Sequence, residues 1–599
     1  MTLSALTAKP SRPIPDIPSQ SPLLTPGQPF HARPGEWKIC LALVLFLSLF
    51  YLLIENGRWH PGADTAFYVS LARSLVHHEG FRFNGIPQGK APPLWPLFLA
   101  GAMKLSTSFW FLNLIPASCL VSASAFWYWV TRRFVTPAKA FSIVLLSSTL
   151  FFWYTSAVQL RTEALFCFLF SAAMLLAFQV SEGLAQWWRI ASVVALCSIA
   201  VGVRWVGLVC WLPVAFAMLS GQLTPTLNRR WIGAALVALF TISSFCACRQ
   251  VLRWLPTKQL RVSHISAEDI AAAADESDSD GALSEDMDAS LTPAMQKVVT
   301  NPGVVKIAQR FGDSGKWISS LLWMPMYLGV TAAAVGYLSN AVGWVLIALF
   351  LLCLYDHLRN RQWVLLGVLL FCSALVFRWR YPNPRYLVPL APLIILGSWL
   401  GMHILIERCQ TLAYRRFWKI ASALFVTSLV LCNGALWAVD VYIARSNDFY
   451  GNYMAGENDQ LIAAAKFLND ANIKHGQVAV SFYYINLNRT RKNGQGLRSM
   501  HLLTNRLIRS VPKRYFTEDL SISTEMREWA ATRNVRYYLF RPPVSPWRAH
   551  HFHIGWWQKY KTKQANIPTN PSWVLYDLKH NKTTELPPIT NWPTHVPGM

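Results

Sequence analysis

Charge is what this 599-residue sequence has least of. Only 14% of its residues are Asp, Glu, Lys or Arg, against about 25% in an average soluble domain. Acid is scarcer still: 30 Asp and Glu face 55 Lys and Arg, a net charge of +25. With 53% hydrophobic residues, this shortage excludes an ordinary soluble enzyme and equally a disordered chain. Cysteine offers no framework. All eleven lie in or beside apolar runs, no Cys-x-x-Cys pair exists, and none follows residue 440. A zinc site or disulfide scaffold is therefore not expected, and cysteine acts as a small apolar residue. Missing too are HExxH, GxSxG, a phosphate-binding Gly-Lys loop and a Rossmann fingerprint, so protease chemistry and ATP hydrolysis have no support. No nucleic-acid-binding motif accompanies the basic excess, so nucleic acid is not an expected partner. No repeat of about 20–50 residues and no duplicated half of the transporter kind is present.

What the sequence has in abundance is apolar runs long enough to cross a bilayer as helices, and a mean hydropathy of +0.28. They lie at 39–55, 109–131, 138–157, 163–180, 188–203, 205–220, 231–252, 331–355, 362–378, 386–406 and 417–440. The expected fold is mainly α: a polytopic transmembrane bundle of about eleven spans with a C-terminal extracytoplasmic α/β domain. The start is polar and Pro-rich without a small-x-small cleavage site, so the first run is expected to stay as a signal anchor. Residues 188–220 are too long for one crossing, and Arg204 in their middle marks a turn at a membrane surface.

Short basic loops set orientation. Arg132, Arg133 and Lys139 form one, Arg229 and Arg230 a second, Arg359 and Arg361 a third, and Arg408, Arg415, Arg416 and Lys419 a fourth. Placing all four inside puts the N-terminal tail 1–37 in the cytoplasm. It makes 38–440 the membrane domain, with outer loops 56–108 and 253–316, and 441–599 a soluble outer domain. Trp317–Leu328 then lies in the interface rather than spanning. In the tail, strand-like runs Gln477–Ile485, Val535–Phe540 and Trp573–Leu578 alternate with helix-like Asp459–Asp470 and Ile522–Thr532.

Four segments should converge on the outer face: 56–108, the loop of Arg161 and Glu163, the turn at Arg204, and 379–385. Asp64 follows the first span, with Tyr68 and Arg73 beyond it at helical spacings. It is suited either to a general base in a dry cleft or to a helix N-cap. Pro92-Pro93 opens an amphipathic helix that should lie in the interface. Glu163 is a second acid, or a first-turn residue serving the helix dipole. Arg378, Arg380, Tyr381, Arg385 and Tyr386 crowd one tight loop, against the positive-inside bias. Guanidinium forks suit phosphate oxygens, so Lys90, Arg204, Arg380 and Arg385 are candidate phosphate ligands; an interfacial Arg/Tyr belt is the other reading. The stretch Glu268–Asp288 holds nine acids without Lys or Arg. Its Asp278-Ser-Asp280 and Asp286-Met-Asp288 read as a solvated acidic loop. His550, His551 and His553 lack an evident fourth metal ligand. Asn488 and Asn581 open glycosylation sequons.

Taken in order, these motifs resemble those of type C glycosyltransferases. They comprise Asp64 after the first span, Tyr68-x-x-x-Ala72, a Gly-rich stretch, then Pro92-Pro93-Leu94. Thr162-Glu163-Ala-Leu-Phe opens a later span, and Arg385-Tyr386-Leu-Val-Pro389-Leu-Ala-Pro392 follows. The likeness covers most of 38–440 and is nearest the branch of aminoarabinose transferases and protein O-mannosyltransferases. Two departures bear on substrate: Ala91 separates Lys90 from Pro92, and Ala63 stands where the branch has a second acid. The resemblance implies a multi-pass enzyme of a bacterial plasma membrane. It would move a sugar from a polyprenyl-phosphate donor to a glycan, lipid or protein acceptor on the outer face, with inversion. It implies catalytic roles for Asp64 and Glu163, and substrate binding by Tyr68, Lys90, Arg204, Arg380, Arg385 and Tyr386. No cofactor is required, although the superfamily leaves room for a divalent metal. A transporter or flippase, or an O-antigen polymerase or ligase, is the rival class. Transporters place ionisable groups at mid-membrane, whereas here they gather at one surface.

Overall fold

The computed structural model describes residues 34–88, 91–182, 184, 186–220, 227–254, 314–322, 332–360, 362–378, 384–409, 411–447, 449, 457–480, 483–486, 489–492, 494–510, 522, 524–540, 574–587 and 593–599. Lys90, Arg380, Tyr381, most of the expected loop 253–316 with both Asp-x-Asp patterns, and His550, His551 and His553 lie outside the described residues.

The chain is mainly helical. Among the described residues six helices are long and apolar enough to span a membrane: Phe109–Thr131, Thr162–Ser181, Asn228–Gln250, Asn340–Arg359, Pro384–Arg408 and Leu412–Arg445. This is an integral membrane protein. The other expected spans are also helical, but shorter or interrupted. They include α1 (Glu36–Leu52), α5 (Pro137–Ser148) and α8 (Trp187–Val203). Chemistry at the ends explains several boundaries. Pro137 starts α5 at a position where its missing N–H costs nothing. The side chain of Thr411 accepts the Tyr414 N–H and caps the last span. At the far end of that span Arg445 donates to the Leu52 and Leu53 carbonyls, at 3.1 and 3.3 Å. It thereby satisfies orphan C=O groups at the end of α1.

Helix α4 (Phe109–Thr131) and helix α7 (Thr162–Ser181) pack along one another. At one end of the pair Arg132 grips Glu36 at 2.7 Å, and Arg133 pairs with Glu182 just beyond α7. Glu163 stands at the opposite end of α7, which has 20 residues, so the two polar clusters are about 30 Å apart at 1.5 Å rise per residue. The run 188–220 breaks at Arg204, which is extended (φ −155°, ψ 132°). A 3-10 turn, Trp205–Val209, then leads into α9 (Trp211–Leu219). The expected break is there, and the Arg204 side chain is buried at it. Gly207 permits the fold-back: a Cβ there would sit 2.7 Å from the Ala200 carbonyl.

The loop 56–108 folds into α2 (Ala63–Val76), the hairpin β1–β2 (Arg82–Phe83, Ile86–Pro87) and α3 (Leu94–Leu105). Asn84 and Gly85 both have positive φ, 53° and 77°, the requirement of a two-residue primed turn. Helix α3 wedges Leu94 against Gly202 of α8, where a Cβ would come within 2.4 Å of Leu94 Cδ1. Of the expected interfacial segment 317–328, residues 317–322 end the helix Ser314–Leu322, and the rest lies outside the described residues.

The tail contains a five-stranded sheet, β3 (Val478–Val480), β6 (Ile508–Ser510), β7 (Tyr537–Phe540), β8 (Val574–Asp577) and β9 (Lys582–Thr583), ordered β6-β3-β7-β8-β9. The first three strands are parallel. Val478 and Val480 join the main core, with helices Glu457–Asp470 and Gly494–Thr504. Ala479, on the other face, packs with Met526, Trp529 and Ala530 of helix Thr524–Thr532. This is the two-residue period of a strand covered on both sides. The expected single strand 477–485 divides instead: Tyr483–Asn486 leaves the sheet and pairs with Arg489–Lys492.

Arg73 of α2, 2% exposed, donates to the Leu502, Pro597 and His501 carbonyls at 2.8, 2.7 and 3.1 Å. Asn84 exchanges two hydrogen bonds with the Ile508 backbone, at 2.7 and 2.8 Å, in the manner of a strand neighbour. Its own N–H donates to His501 Nε2 at 3.2 Å. Burial and Arg73 hold the His501 ring down at about 3, so it stays neutral and keeps Nε2 as an acceptor. Residues 593–598 run beside α2 and α4, where Phe109 N–H donates to the Thr594 carbonyl and Val596 N–H to Thr107.

The Gly207→Ala variant is expected to lose about 1–3 kcal/mol of stability through backbone overpacking, seen as a lower thermal midpoint in detergent. Gly101, with open space around it, provides the contrast: Gly101→Ala should add about 0.5–1 kcal/mol of stability, seen as a slightly higher midpoint.

Candidate functional site

Four segments meet beside the start of α7. Gly62 is the N-cap of α2, which places Asp64 inside the first turn with no side-chain cap bond. The N-cap reading of Asp64 is therefore corrected: its oxygens serve side chains from elsewhere. Arg385 Nη1 donates to Asp64 Oδ2 at 2.6 Å. Arg498 Nη1 donates to Asp64 Oδ1 at 3.2 Å, across 434 residues of sequence. Glu163, in the first turn of α7 and 3% exposed, faces Arg204 Nη1 at 3.1 Å and Arg385 Nε at 3.6 Å. Thr162 adds a hydroxyl donor to Glu163 Oε2 at 3.3 Å. One guanidinium, Arg385, thus stands between both acids.

The local fold explains the convergence. Arg385 opens the 3-10 turn Pro384–Leu390, which packs against α7. Arg204 sits in the extended break after α8, so its side chain leaves the helix toward α7. Tyr386 lies beneath both cations, its ring 4.8 Å from the Arg204 guanidinium carbon and 5.7 Å from that of Arg385, a cation–π arrangement. Tyr68 stands one helical turn after Asp64. Burial, then the neighbouring Asp64 and Glu163 carboxylates, push its phenol above the ordinary range, against Arg204 and Arg385. It remains a protonated donor. Burial also pushes the Asp64 carboxyl up, but Arg385, Arg498 and Arg161 outweigh it and hold it well below the usual carboxylate range.

The sequence-predicted residues Asp64, Tyr68, Glu163, Arg204, Arg385 and Tyr386 therefore lie together. Lys90 and Arg380 fall outside the described residues. Arg73, at a helical spacing from Tyr68, does not join them and serves the tail instead. Two members are not among the site residues assigned from the sequence, although Arg161 is named there in a converging loop. Arg161 was legible as a neighbour of Glu163. Its Nη2 lies 3.2 Å from where a Cβ on Gly62 would be, and its buried Nε has no hydrogen-bond partner among the described residues. Arg498 carries no local signal: it sits in an amphipathic tail helix whose docking the sequence does not specify.

Chemically, four guanidinium groups surround two carboxylates, an excess of two positive charges in a partly dry setting. Such an excess favours an anion, and forked donors favour phosphate oxygens. Among the described residues a divalent cation finds no fit: both carboxylates are ion-paired, and the surrounding guanidinium groups oppose added positive charge. Among the described residues, no group of three His, Cys, Asp or Glu gathers to hold a metal ion.

No family model matches the chain, and no curated protein matches it. Solved structures do. The archaeal oligosaccharyltransferase AglB from Archaeoglobus fulgidus, in complex with an inhibitory peptide and a dolichol-phosphate, is 13% identical with a TM-score of 0.49, covering 84% of this chain and 69% of that one. ArnT from Cupriavidus metallidurans bound to undecaprenyl phosphate is 14% identical with a TM-score of 0.44, covering 85% of this chain and 94% of that one. The S. cerevisiae protein O-mannosyltransferase Pmt1-Pmt2 complex bound to the sugar donor is 15% identical with a TM-score of 0.32, covering 39% and 35%. The likeness is distant, and function has to be read from the side chains.

Glu163→Gln leaves Arg204 buried without its counter-charge and is expected to cost about 3–5 kcal/mol, seen as a lower thermal midpoint in detergent. Pairing it with Arg204→Met should restore much of that loss, because no uncompensated charge is then left at this pair. A double variant no more stable than Glu163→Gln alone would show that the pair is not the source of the loss.

Proposed function

We propose that this chain is an integral membrane glycosyltransferase that moves a sugar from a polyprenyl-phosphate donor to a glycan, lipid or protein acceptor on the extracytoplasmic face. The observation that carries the reading is the shared guanidinium: Arg385 lies 2.6 Å from Asp64 and 3.6 Å from Glu163. A base-type carboxylate thus stands directly beside an anion-favouring cluster. Two of the span-length helices, Thr162–Ser181 and Pro384–Arg408, begin at it, and the bundle would hold the donor's hydrocarbon tail.

In the reaction, an acceptor oxygen attacks the anomeric carbon and forms the new glycosidic bond. The carbon–oxygen bond to the lipid phosphate breaks on the opposite side, and the phosphate leaves with the electron pair. Configuration inverts in this single displacement. Positive charge builds on the sugar and negative charge on the departing phosphate. Arg204 and Arg385 are positioned to stabilise the latter, as preorganised donors do, with Arg161 beside them. Lys90 and Arg380 have the same proposed role by resemblance. Asp64 orients the acceptor and takes its proton as the bond forms. A carboxylate held far below its usual range is a weak equilibrium base, so orientation is its larger contribution, and proton transfer comes late. Glu163 aligns Arg385 and Arg204. Tyr68, kept protonated, offers a hydroxyl donor, and Tyr386 supports the two cations from below. The tail 441–599 is proposed as a soluble outer domain, with the N-terminus in the cytoplasm. No metal step is required by these residues.

Membranes containing the chain are to be incubated with a panel of labelled polyprenyl-phosphate sugars, and the labelled product identified. Asp64→Asn should lower transfer by at least about 10²-fold while insertion and folding remain normal; normal turnover would refute the role. Arg385→Gln should weaken binding of undecaprenyl phosphate by about tenfold or more, as expected for losing a charge-assisted bond of about 1.5–3 kcal/mol. Unchanged affinity would remove the phosphate site.

A further inference from the structure

The tail reaches the site through one side chain. Helix Gly494–Thr504 lies against α2, and two arginines cross between them in opposite directions. Arg73 near the end of α2 donates to carbonyls at the end of the tail helix, and Arg498 of the tail helix donates to Asp64 at the start of α2. Asp64 and Arg73 each sit at the end of α2 that favours their charge. Arg498 is also braced sideways. Its guanidinium carbon lies 5.0 Å from the centre of the Phe67 ring, which packs on Phe83 at 5.2 Å, and Phe83 meets His501 at 4.9 Å. The same His501 and Phe83 flank the Asn84 latch to Ile508.

We propose that Arg498 is a positioning residue of the site, fixing Asp64 Oδ1 while Arg385 fixes Oδ2, so that the carboxylate is aligned only when the tail helix is docked on α2. Each oxygen of Asp64 then answers to a different part of the chain, one to the membrane-embedded turn and one to the tail. The inference rests on the reading of Asp64 as the residue that meets the acceptor. The alternative, that Arg498 only tethers the tail, is less well matched to the geometry. The tether is already supplied by Arg73 and Asn84, both more deeply buried than Arg498. Among the described residues, the charged and titratable groups facing Asp64 are Arg385 from the 3-10 turn, Arg161 and Glu163 from the start of α7, Tyr68 from its own helix, and Arg498 from the tail.

Carbodiimide modifies a carboxyl only when it is protonated, so its pH dependence at Asp64, read by peptide mass spectrometry, reports how firmly the guanidinium groups hold the ionised form. The full chain in lipid nanodiscs is used, with other carboxylates in the digest as internal references. In Arg498→Met, Asp64 labelling at pH 5 should rise about tenfold, as expected for losing one adjacent guanidinium worth about one pKa unit. Arg498→Lys should restore most of the protection. Hydrogen exchange of amides 499–510 should stay slow in both variants. Labelling unchanged in Arg498→Met, or raised only together with fast exchange over 499–510, overturns the proposal and leaves Arg498 as a tether. This readout needs no substrate, so it stands apart from the transfer reading, which fails if the wild-type chain transfers no sugar from any donor in the panel. With a donor in hand, Arg498→Met should lower kcat and leave the donor KM near its wild-type value.

Discussion

Everything at the site depends on keeping four arginines and two acids together where water reaches them only in part. An ionised group taken out of water costs several kcal/mol unless it is paired with good geometry. Arg385 answers to two acids at once, Asp64 and Glu163, and Arg204 and Arg498 complete the pairs from either side. Five separate stretches of chain are thereby brought to one point: α2, the start of α7, the break after α8, the turn before Ala391 and the tail helix Gly494–Thr504. The apolar packing of the bundle sets where these stretches can go; the charge requirement sets how they must meet.

The same requirement separates the two ends of the molecule. Arg132 and Arg133 are paired locally with Glu36 and Glu182, charge for charge. At the other end of α7 positive charge is in excess. The first cluster is balanced pair by pair, whereas the excess at the second favours a negative partner. Depressed basicity at Asp64 follows from that excess. A carboxylate embedded among guanidinium groups is better at orienting a polar group than at capturing a proton, and the proposed displacement draws on both properties.

The tail has a part in this. Its sheet is built as an α/β layer with helices on both faces, and one of its helices is cross-linked to α2 by paired arginines. Because His501 is kept neutral by burial and by Arg73, its Nε2 stays an acceptor for the Asn84 N–H. The hairpin, the tail helix and the acid at the site are therefore one connected unit of hydrogen bonds.

Much of this was legible in the residues alone. Apolar runs fixed by composition placed nearly every long helix within a few positions, because burial in a bilayer demands uninterrupted hydropathy and little else. Arg204 announced a break, since a charge within an apolar run has to leave the helix or find a partner. Asp64, Glu163 and Arg385 stood out as charges where few are tolerated. Other features depend on long-range placement. Asp64 looked equally fit to cap its helix, and only the approach of Arg385 and Arg498 shows where its oxygens are spent. Arg498 lies in an ordinary amphipathic helix, and no local pattern marks which of its neighbours will face an acid 434 positions away. Hydropathy is a property of a segment and can be read along the chain; ion pairing between distant segments is a property of how they dock, and only the folded molecule decides it.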